Sequence, residues 1–344
     1  MSAASLSLDD RVPHVPVMLA EVLRSLAPKA GDRIIDGTFG AGGYSKAILA
    51  QADCRVLGVD RDINAIEAGS ELVDASQGRL ALGHGPFSEL EELAEANGWD
   101  RVDGVVLDLG VSSMQLDQAE RGFSFQRDGP LDMRMGQHGA SAADAVNMLP
   151  ESDLANVIYA YGEERKSRII AKRIVEARSR QEFSRTKPLA DLISETIGRR
   201  QKDVIHPATR TFQALRIFVN RELHELVDAL HAAERVLKSG GRLVIVAFHS
   251  LEDRIVKRFL ADRSKTSAGG SRHLPQEEVA PATFSLIKRG VVLPSDAETH
   301  QNPRARSARL RAAIRNDLPA RAVDAELLGL SKFPENLFPK GRIQ

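Results

Sequence analysis

The chain has 344 residues, 42% of them hydrophobic and 27% charged, with a formal net charge of zero. That is the composition of a globular protein with material for one large or two modest domains. A single cysteine, Cys54, excludes an intrachain disulfide framework and a cysteine-based zinc cluster. No apolar run approaches the ~20 residues of a membrane span, and residues 1–13 lack the basic-then-apolar pattern of a secretory signal. A cytoplasmic enzyme is expected, with no metal and no membrane among its partners.

The zero balance hides an asymmetry. Residues 1–164 carry 12 Lys/Arg against 27 Asp/Glu, residues 165–216 carry 14 against 5, and residues 217–344 carry 21 against 15. A basic segment of that density suits a polyanion such as nucleic acid, and it equally suits a solvated helical face.

Short apolar runs alternate with helical stretches through the first third. Residues 33–36, 55–60, 79–83 and 102–108 read as strands. Residues 44–52, 63–75 and 88–96 read as helices, the last opened by a capping box of Ser88 and Glu91. Such alternation implies a parallel sheet covered on both faces. The pattern then stops. Residues 112–139 are rich in Gly, Asp and Arg and read as loop, and 142–201 as several helices, including the basic stretch 163–180. Phe212, Leu215, Val219, Leu223, Leu226, Leu230, Ala233 and Leu237 mark one face of a long helix opened by Pro207 and ended by Gly240 and Gly241. A strand over 242–248 follows, then a helix over 250–262 capped by Ser250 and Asp253. Gly269, Gly270 and Pro275 mark a loop near 264–281, and 284–292 and 306–314 supply two final strands. The fold class expected is α/β: a Rossmann-like doubly wound sheet interrupted by an inserted all-helical domain. The division is 1–112 for the first part of the sheet, 113–216 for the insertion and 217–344 for the second part.

The stretch Asp36-Gly-Thr-Phe-Gly-Ala-Gly-Gly-Tyr44 joins the first strand to the first helix. Its glycines allow a tight turn and close approach of a ligand to backbone N–H groups. Asp60 ends the second strand, where an acid accepts hydrogen bonds from ribose hydroxyls. Gly40, Gly42 and Ser45 make only an imperfect dinucleotide frame. Asp36 beside them favours a cationic cofactor over a pyrophosphate, and S-adenosylmethionine carries a sulfonium and an ammonium. Phe87 after the third strand and Asp108 at the end of the fourth lie where such a cofactor sits, outside the carboxyl ends of the strands. Phe87 also suits a helix-entry hydrophobe, and Asp108 an N-cap. A nicotinamide-dependent oxidoreductase and a non-catalytic ribosome-assembly factor are the competing classes. Asp36 and the lack of a hydride-transfer dyad weigh against the first. Intact Asp36, Gly42, Gly43 and Asp60 weigh against the second.

Eleven stretches, at 14–19, 36–43, 58–62, 84–87, 108–113, 120–125, 128–135, 161–165, 206–213, 248–257 and 302–307, together resemble the bacterial 16S ribosomal RNA cytosine N4-methyltransferases of the RsmH (MraW) type, in family order over nearly the whole chain. The resemblance implies a class I methyltransferase sheet, S-adenosylmethionine as cofactor, and a cytosine of the decoding centre in the small ribosomal subunit as substrate. It implies that Gly42, Gly43, Tyr44, Asp60, Phe87, Asp108 and Gln115 hold the cofactor. Tyr44 stands where the family commonly has histidine. A homodimer is among the assemblies left open.

Methyl transfer to an amine is an in-line displacement that chiefly needs alignment. Asp108 is the nearest candidate by position for orienting or deprotonating the amine, but the Asp/Ser-Pro-Pro-Tyr motif of many amino methyltransferases is replaced here by Asp108-Leu-Gly-Val-Ser-Ser, which favours a cofactor-binding role for Asp108 and leaves the catalytic base unassigned. For RNA, the candidates are Phe123 and Arg134 (with Phe125) in the loop after the fourth strand, Arg210, Arg216, Gln213 and Asn220 opposite the apolar stripe, His249, and the basic run that includes Arg304 and Arg306. Each has a bland counterpart: loop anchor, solvated face, cap or strand edge.

Overall fold

The computed structural model describes residues 16–136, 138–198, 205–266, 280–322, 324–330 and 333–334. Its centre is a seven-stranded sheet. Strands β1 (Arg33–Asp36), β2 (Arg55–Asp60), β3 (Leu80–His84), β4 (Val102–Asp108) and β5 (Leu237–Ala247) run parallel, β6 (Phe284–Leu286) and β7 (Arg309–Arg315) complete the edge, and the order is β3-β2-β1-β4-β5-β7-β6. β7 pairs antiparallel with both β5 and β6.

Side chains alternate across the sheet, so its two faces feed two cores. Ile34, Val56, Val106 and Val244 pack beneath helices Leu19–Leu26 and Gly43–Gln51. Ile35, Leu57, Val105, Leu107 and Ile245 face the other way, against helices Glu222–Val236 and Ser250–Arg263. Both faces being dry, the strands are apolar almost throughout, as parallel strands require. Between β4 and β5 lie helices Ala142–Met148, Glu151–Gly162, Ser167–Arg178, Thr186–Ile197 and Thr209–Val219. Their buried Ile158, Tyr161, Ile170, Leu189 and Phe212 belong to the second core, which is continuous from the sheet into these helices.

The structure departs from the sequence reading at several ends. The long helix is two, Thr209–Val219 and Glu222–Val236, broken where Arg221 takes a left-handed φ of 51°. The apolar spacing survives because the break keeps the two halves in phase. The cause is Asn220, whose side chain turns to a neighbouring loop: Nδ2 donates to the Met133 carbonyl at 2.7 Å, and Oδ1 accepts from the Met135 N–H at 2.8 Å. The first half begins at Thr209, two residues past Pro207. The second ends at Val236, and β5 starts at once. Gly240, at φ +81°, and Gly241 sit within β5, where the pairing with β4 slips between Val102 and Gly104.

The expected helix 63–75 is two short helices meeting at Gly69, where a Cβ would strike the Phe39 ring at 2.6 Å. The Ser88 cap is not formed: a 3-10 turn, Phe87–Glu89, precedes helix Leu90–Ala96, and the Ser88 hydroxyl donates instead to Glu225 at 2.5 Å. The box proposed for Ser250 and Asp253 is made one residue earlier, by His249 and Glu252. The stretch 112–139 is not all loop, since it holds helix Ser113–Asp117, boxed by Ser112 and Gln115. Helices Leu19–Leu26 and Asp296–Gln301 carry no signal the sequence reading used. His14, Val15, Gly269, Gly270 and Pro275 lie outside the described residues. No helix among the described residues is long and apolar enough to cross a membrane.

Asn220→Ala leaves the buried Met133 carbonyl and Met135 N–H without partners, so it is expected to lower unfolding stability by about 2 kcal/mol. Urea denaturation followed by circular dichroism reads this directly, and an unchanged midpoint would show that the loop finds other partners.

Candidate cofactor and substrate site

The parallel register brings three carboxylates to one edge of the sheet: Asp36 ends β1, Asp60 ends β2 and Asp108 ends β4. The glycine turn crosses this edge. Gly37 N–H donates to the Val106 carbonyl and Phe39 N–H to that of Val59, both at 2.9 Å, so the turn is stitched to β4 and β2 at once. Gly40 adopts φ +52° and an added Cβ would have no neighbour closer than 3.9 Å, so its surface is free to meet a ligand. Gly43 is tight for another reason: a Cβ there would come within 2.4 Å of Pro16.

The carboxylates differ in their commitments. Asp36 is fully buried; Oδ2 accepts from the Ser45 N–H at 3.1 Å and the Ser45 hydroxyl at 2.7 Å, and Oδ1 from the Thr38 N–H at 3.4 Å. It braces the turn, and its charge stays close to the other two acids, as the sequence reading of a carboxylate near the glycines expects. Asp60 accepts from Gly40 N–H through Oδ2 and from Asp62 N–H through Oδ1, both at 2.8 Å. Asp108 is anchored by its backbone, whose N–H donates to Thr38 Oγ1 at 2.7 Å, while its buried Oδ1 has no partner. An orphaned carboxylate oxygen of this kind calls for a donor or a cation.

Burial raises all three acids. It pushes Asp36 up to about 6, against the pull of the Ser45 hydroxyl and the Thr38 N–H. Asp60 is raised by burial, offset by the Asp62 and Gly40 N–H groups. Asp108 is held well above the ordinary carboxylate range by burial, with the charges of Asp36 and Glu252 adding. A ligand bearing two positive charges relieves this repulsion, so the residues present fit S-adenosylmethionine and would repel a pyrophosphate.

The remaining cofactor candidates cluster nearby. Phe87 is half-buried and lines a small cleft with Arg61, Leu109, Gly110, Glu222 and Glu252. Gln115 is buried; its Oε1 accepts from Ser112 N–H at 3.1 Å and its Nε2 donates to Asp62 at 3.0 Å. The Tyr44 ring is buried in the first core, its hydroxyl donating to the Val17 carbonyl, so only its backbone is available at the turn.

The substrate candidates divide. Arg216 is half-buried and grips Glu222 with two bonds of 2.8 Å, and Asn220 is buried on the 133–135 loop; neither forms the exposed face expected of them. Glu222 holds the first, and the loop folded over the helix break covers the second. Phe123 is buried, with the Arg121 guanidinium 5.9 Å from its ring centre, and Phe125 packs on His206 and Phe212. Both anchor the loop. His249 is the N-cap of helix Ser250–Arg263, and Nε2 lies 2.9 Å from Glu252. That pair, with Arg216 nearby, holds the Glu252 pKa down against the upward push of burial. Glu222, His249 and Glu252 stand close enough together to share a cation, and the Arg216 guanidinium already supplies that charge. Arg134 pairs with Asp132 at 2.7 Å. Arg210, Arg304 and Arg306 are exposed, Arg304 reaching Asp117 at 3.0 Å. Sequence reasoning missed Asp62, Arg121 and Thr38, whose partners lie far away in the chain; the Asp-x-Asp spacing at 60 and 62 was their one local trace.

A parallel sheet with an antiparallel β7 inserted at one edge, and acids at the strand ends around a glycine turn, defines a class I S-adenosylmethionine-dependent methyltransferase. The MraW methylase family model matches residues 11–316, and the chain belongs to that family. It is 58% identical over 321 residues to the ribosomal RNA small subunit methyltransferase H of Xanthobacter autotrophicus, covering 93% of this chain and 92% of that one. It is 59% identical over 323 residues to the protein of the same name from Mesorhizobium japonicum, covering 94% and 93%. Among solved structures, a putative rRNA-methylase from Clostridium thermocellum aligns with a TM-score of 0.42 at 11% identity, covering 89% of this chain and 99% of that one.

The raised acids carry a pH signature. The folded chain holds protons that the unfolded chain releases, so this contribution to stability declines as pH rises from the ordinary 3.8 to about 6. Cofactor binding requires the ionised forms, so affinity for S-adenosylmethionine is expected to fall as pH drops below about 6, by up to tenfold per pH unit for each proton displaced. Calorimetry from pH 5 to 8 checks this. S-adenosylhomocysteine, whose sulfur is neutral, is expected to show a shallower fall, and equal slopes would contradict the charge argument.

Proposed function

We propose that the chain methylates the exocyclic N4 amine of a cytosine in the decoding centre, in the P-site region, of 16S ribosomal RNA within the small ribosomal subunit. The names of the relatives support the subunit. The observation that carries the chemistry is Asp108 Oδ1, a buried acceptor without a partner at the end of β4. S-adenosylmethionine, when bound, supplies an activated methyl group. The chain aligns the reactants and excludes water. Gly42, Gly43 and the Tyr44 backbone are assigned to the cofactor, with Asp60 on its ribose hydroxyls, Phe87 on its adenine, and Gln115 and Asp108 completing the set.

The cytosine amine is a weak nucleophile because its lone pair is shared with the ring. A carboxylate accepting one amine hydrogen localises that pair and takes the proton released on methylation. Asp108 Oδ1 is the one orphaned carboxylate oxygen at this edge among the described residues, so the same oxygen serves either a cofactor cation or the amine. Exposed Arg210, Arg304 and Arg306 are assigned to phosphates, and the target base leaves its stack to reach the cleft. A ribosomal substrate places the protein in the cytoplasm.

Tritium transfer from labelled S-adenosylmethionine to small subunits lacking the modification tests the reading. Label is expected on one cytosine, and subunits that accept none while the protein binds cofactor would overturn it. Asp108→Asn is expected to lower turnover at least a hundredfold. Weakened cofactor binding in the same variant assigns the oxygen to the cofactor, and unchanged binding assigns it to the amine. Arg304→Ala with Arg306→Ala is expected to raise KM for subunits with kcat preserved, and to reduce the salt slope of binding by about one per lost phosphate contact. An unchanged KM would remove both residues from the interface.

A further inference from the structure

Asp62 stands outside the residues assigned to the cofactor, yet its hydrogen bonds reach both sides of the site. Its N–H donates to Asp60 Oδ1 at 2.8 Å. Its own carboxylate accepts from Asn64 N–H at 3.2 Å, from Gln115 Nε2 at 3.0 Å and from Arg121 Nη1 at 2.7 Å. The two side chains are 6% and 16% exposed, so the ion pair is shielded from water and salt. The second terminal nitrogen of Arg121 donates to the carbonyls of Arg134 and Met135 at 3.1 and 2.9 Å. Asn220 grips the same loop at Met133 and Met135, and Arg61 Nη1 donates to the Asn220 carbonyl at 3.0 Å.

These bonds form one connected path. It begins at the glycine turn, where Gly40 meets Asp60, and passes through Asp62 and Arg121 to the 133–135 loop and the helix break. A tie that only stabilised the fold would need no connection to the ribose acid. Here the same residue that bonds the acid through its backbone bonds the loop through its side chain.

We propose that Asp62 and Arg121 are positioning residues that couple cofactor binding to docking of the RNA substrate on the inserted segment. The proposal rests on the reading that Asp60 holds the cofactor and that the substrate meets the segment after β4. Neither residue touches the reacting atoms; both act through Asp60, Gln115 and the 133–135 loop. Coupling between two sites is reciprocal, so it is measurable from either ligand.

The test uses the full-length chain, S-adenosylhomocysteine as an unreactive cofactor probe, and small subunits lacking the modification. In the unaltered protein, saturating subunits are expected to tighten S-adenosylhomocysteine binding by about tenfold. In Arg121→Gln that factor is expected to fall to about twofold or less while the probe still binds, and Arg121→Lys, which keeps the charge on Asp62 but cannot span both carbonyls, is expected to fall between. A tenfold factor kept in Arg121→Gln, or no tightening in the unaltered protein, would overturn the proposal. Where Arg121→Gln loses its folded circular dichroism, Asp62→Asn decides on the same terms. Asp60→Asn is measured beside them: a loss of probe affinity upholds the cofactor assignment separately, and an unchanged affinity overturns that assignment and the coupling with it.

Discussion

The structure turns on a buried carboxylate. Asp36 accepts from Ser45 and Thr38 and so fixes the path of the glycine turn. Thr38 in turn accepts the Asp108 N–H, and Gly40 donates to Asp60. One residue thereby orients the acids at the ends of β2 and β4. A charge buried this way is costly unless it is hydrogen-bonded, and even with its partners Asp36 is raised to about 6. The cost falls at the strand ends where three acids meet.

Most of the sheet was legible because parallel strands announce themselves. The runs ending in Asp36, Asp60 and Asp108 are apolar, short and separated by helical stretches, and the strands form there to within a residue or two. The glycine turn was legible from its glycines and the acid twenty residues after Gly40. What escaped was anything fixed by distant partners. The break at Asn220 is invisible in the apolar spacing, since a phase-preserving interruption leaves the stripe intact. The caps misplaced at Ser88 and Ser250 show the same limit: a serine before a helix is a cap only if no better acceptor claims it, and Glu225 claims Ser88.

The substrate side shows where polarity misleads. Arg216 and Asn220 lie opposite the apolar stripe, where a helix in isolation would present them to solvent or to RNA. Glu222 holds Arg216, a loop from the segment after β4 covers Asn220, and both become ties within the molecule. Arg210, Arg304 and Arg306 remain exposed. The arginines thus divide into those that tie elements together, as Arg121 and Arg216 do, and those at the surface, as Arg210, Arg304 and Arg306 are. The Tyr44 ring likewise faces the core and its hydroxyl fastens Val17, so the turn presents its backbone alone.

Mass mapping of 16S ribosomal RNA from cells with and without this protein tests the central claim most directly. The account predicts that RNA from cells lacking the protein differs at a single cytosine of the decoding centre, lighter by one methyl group on N4. Identical maps, or a difference confined to another base or another atom, would contradict it.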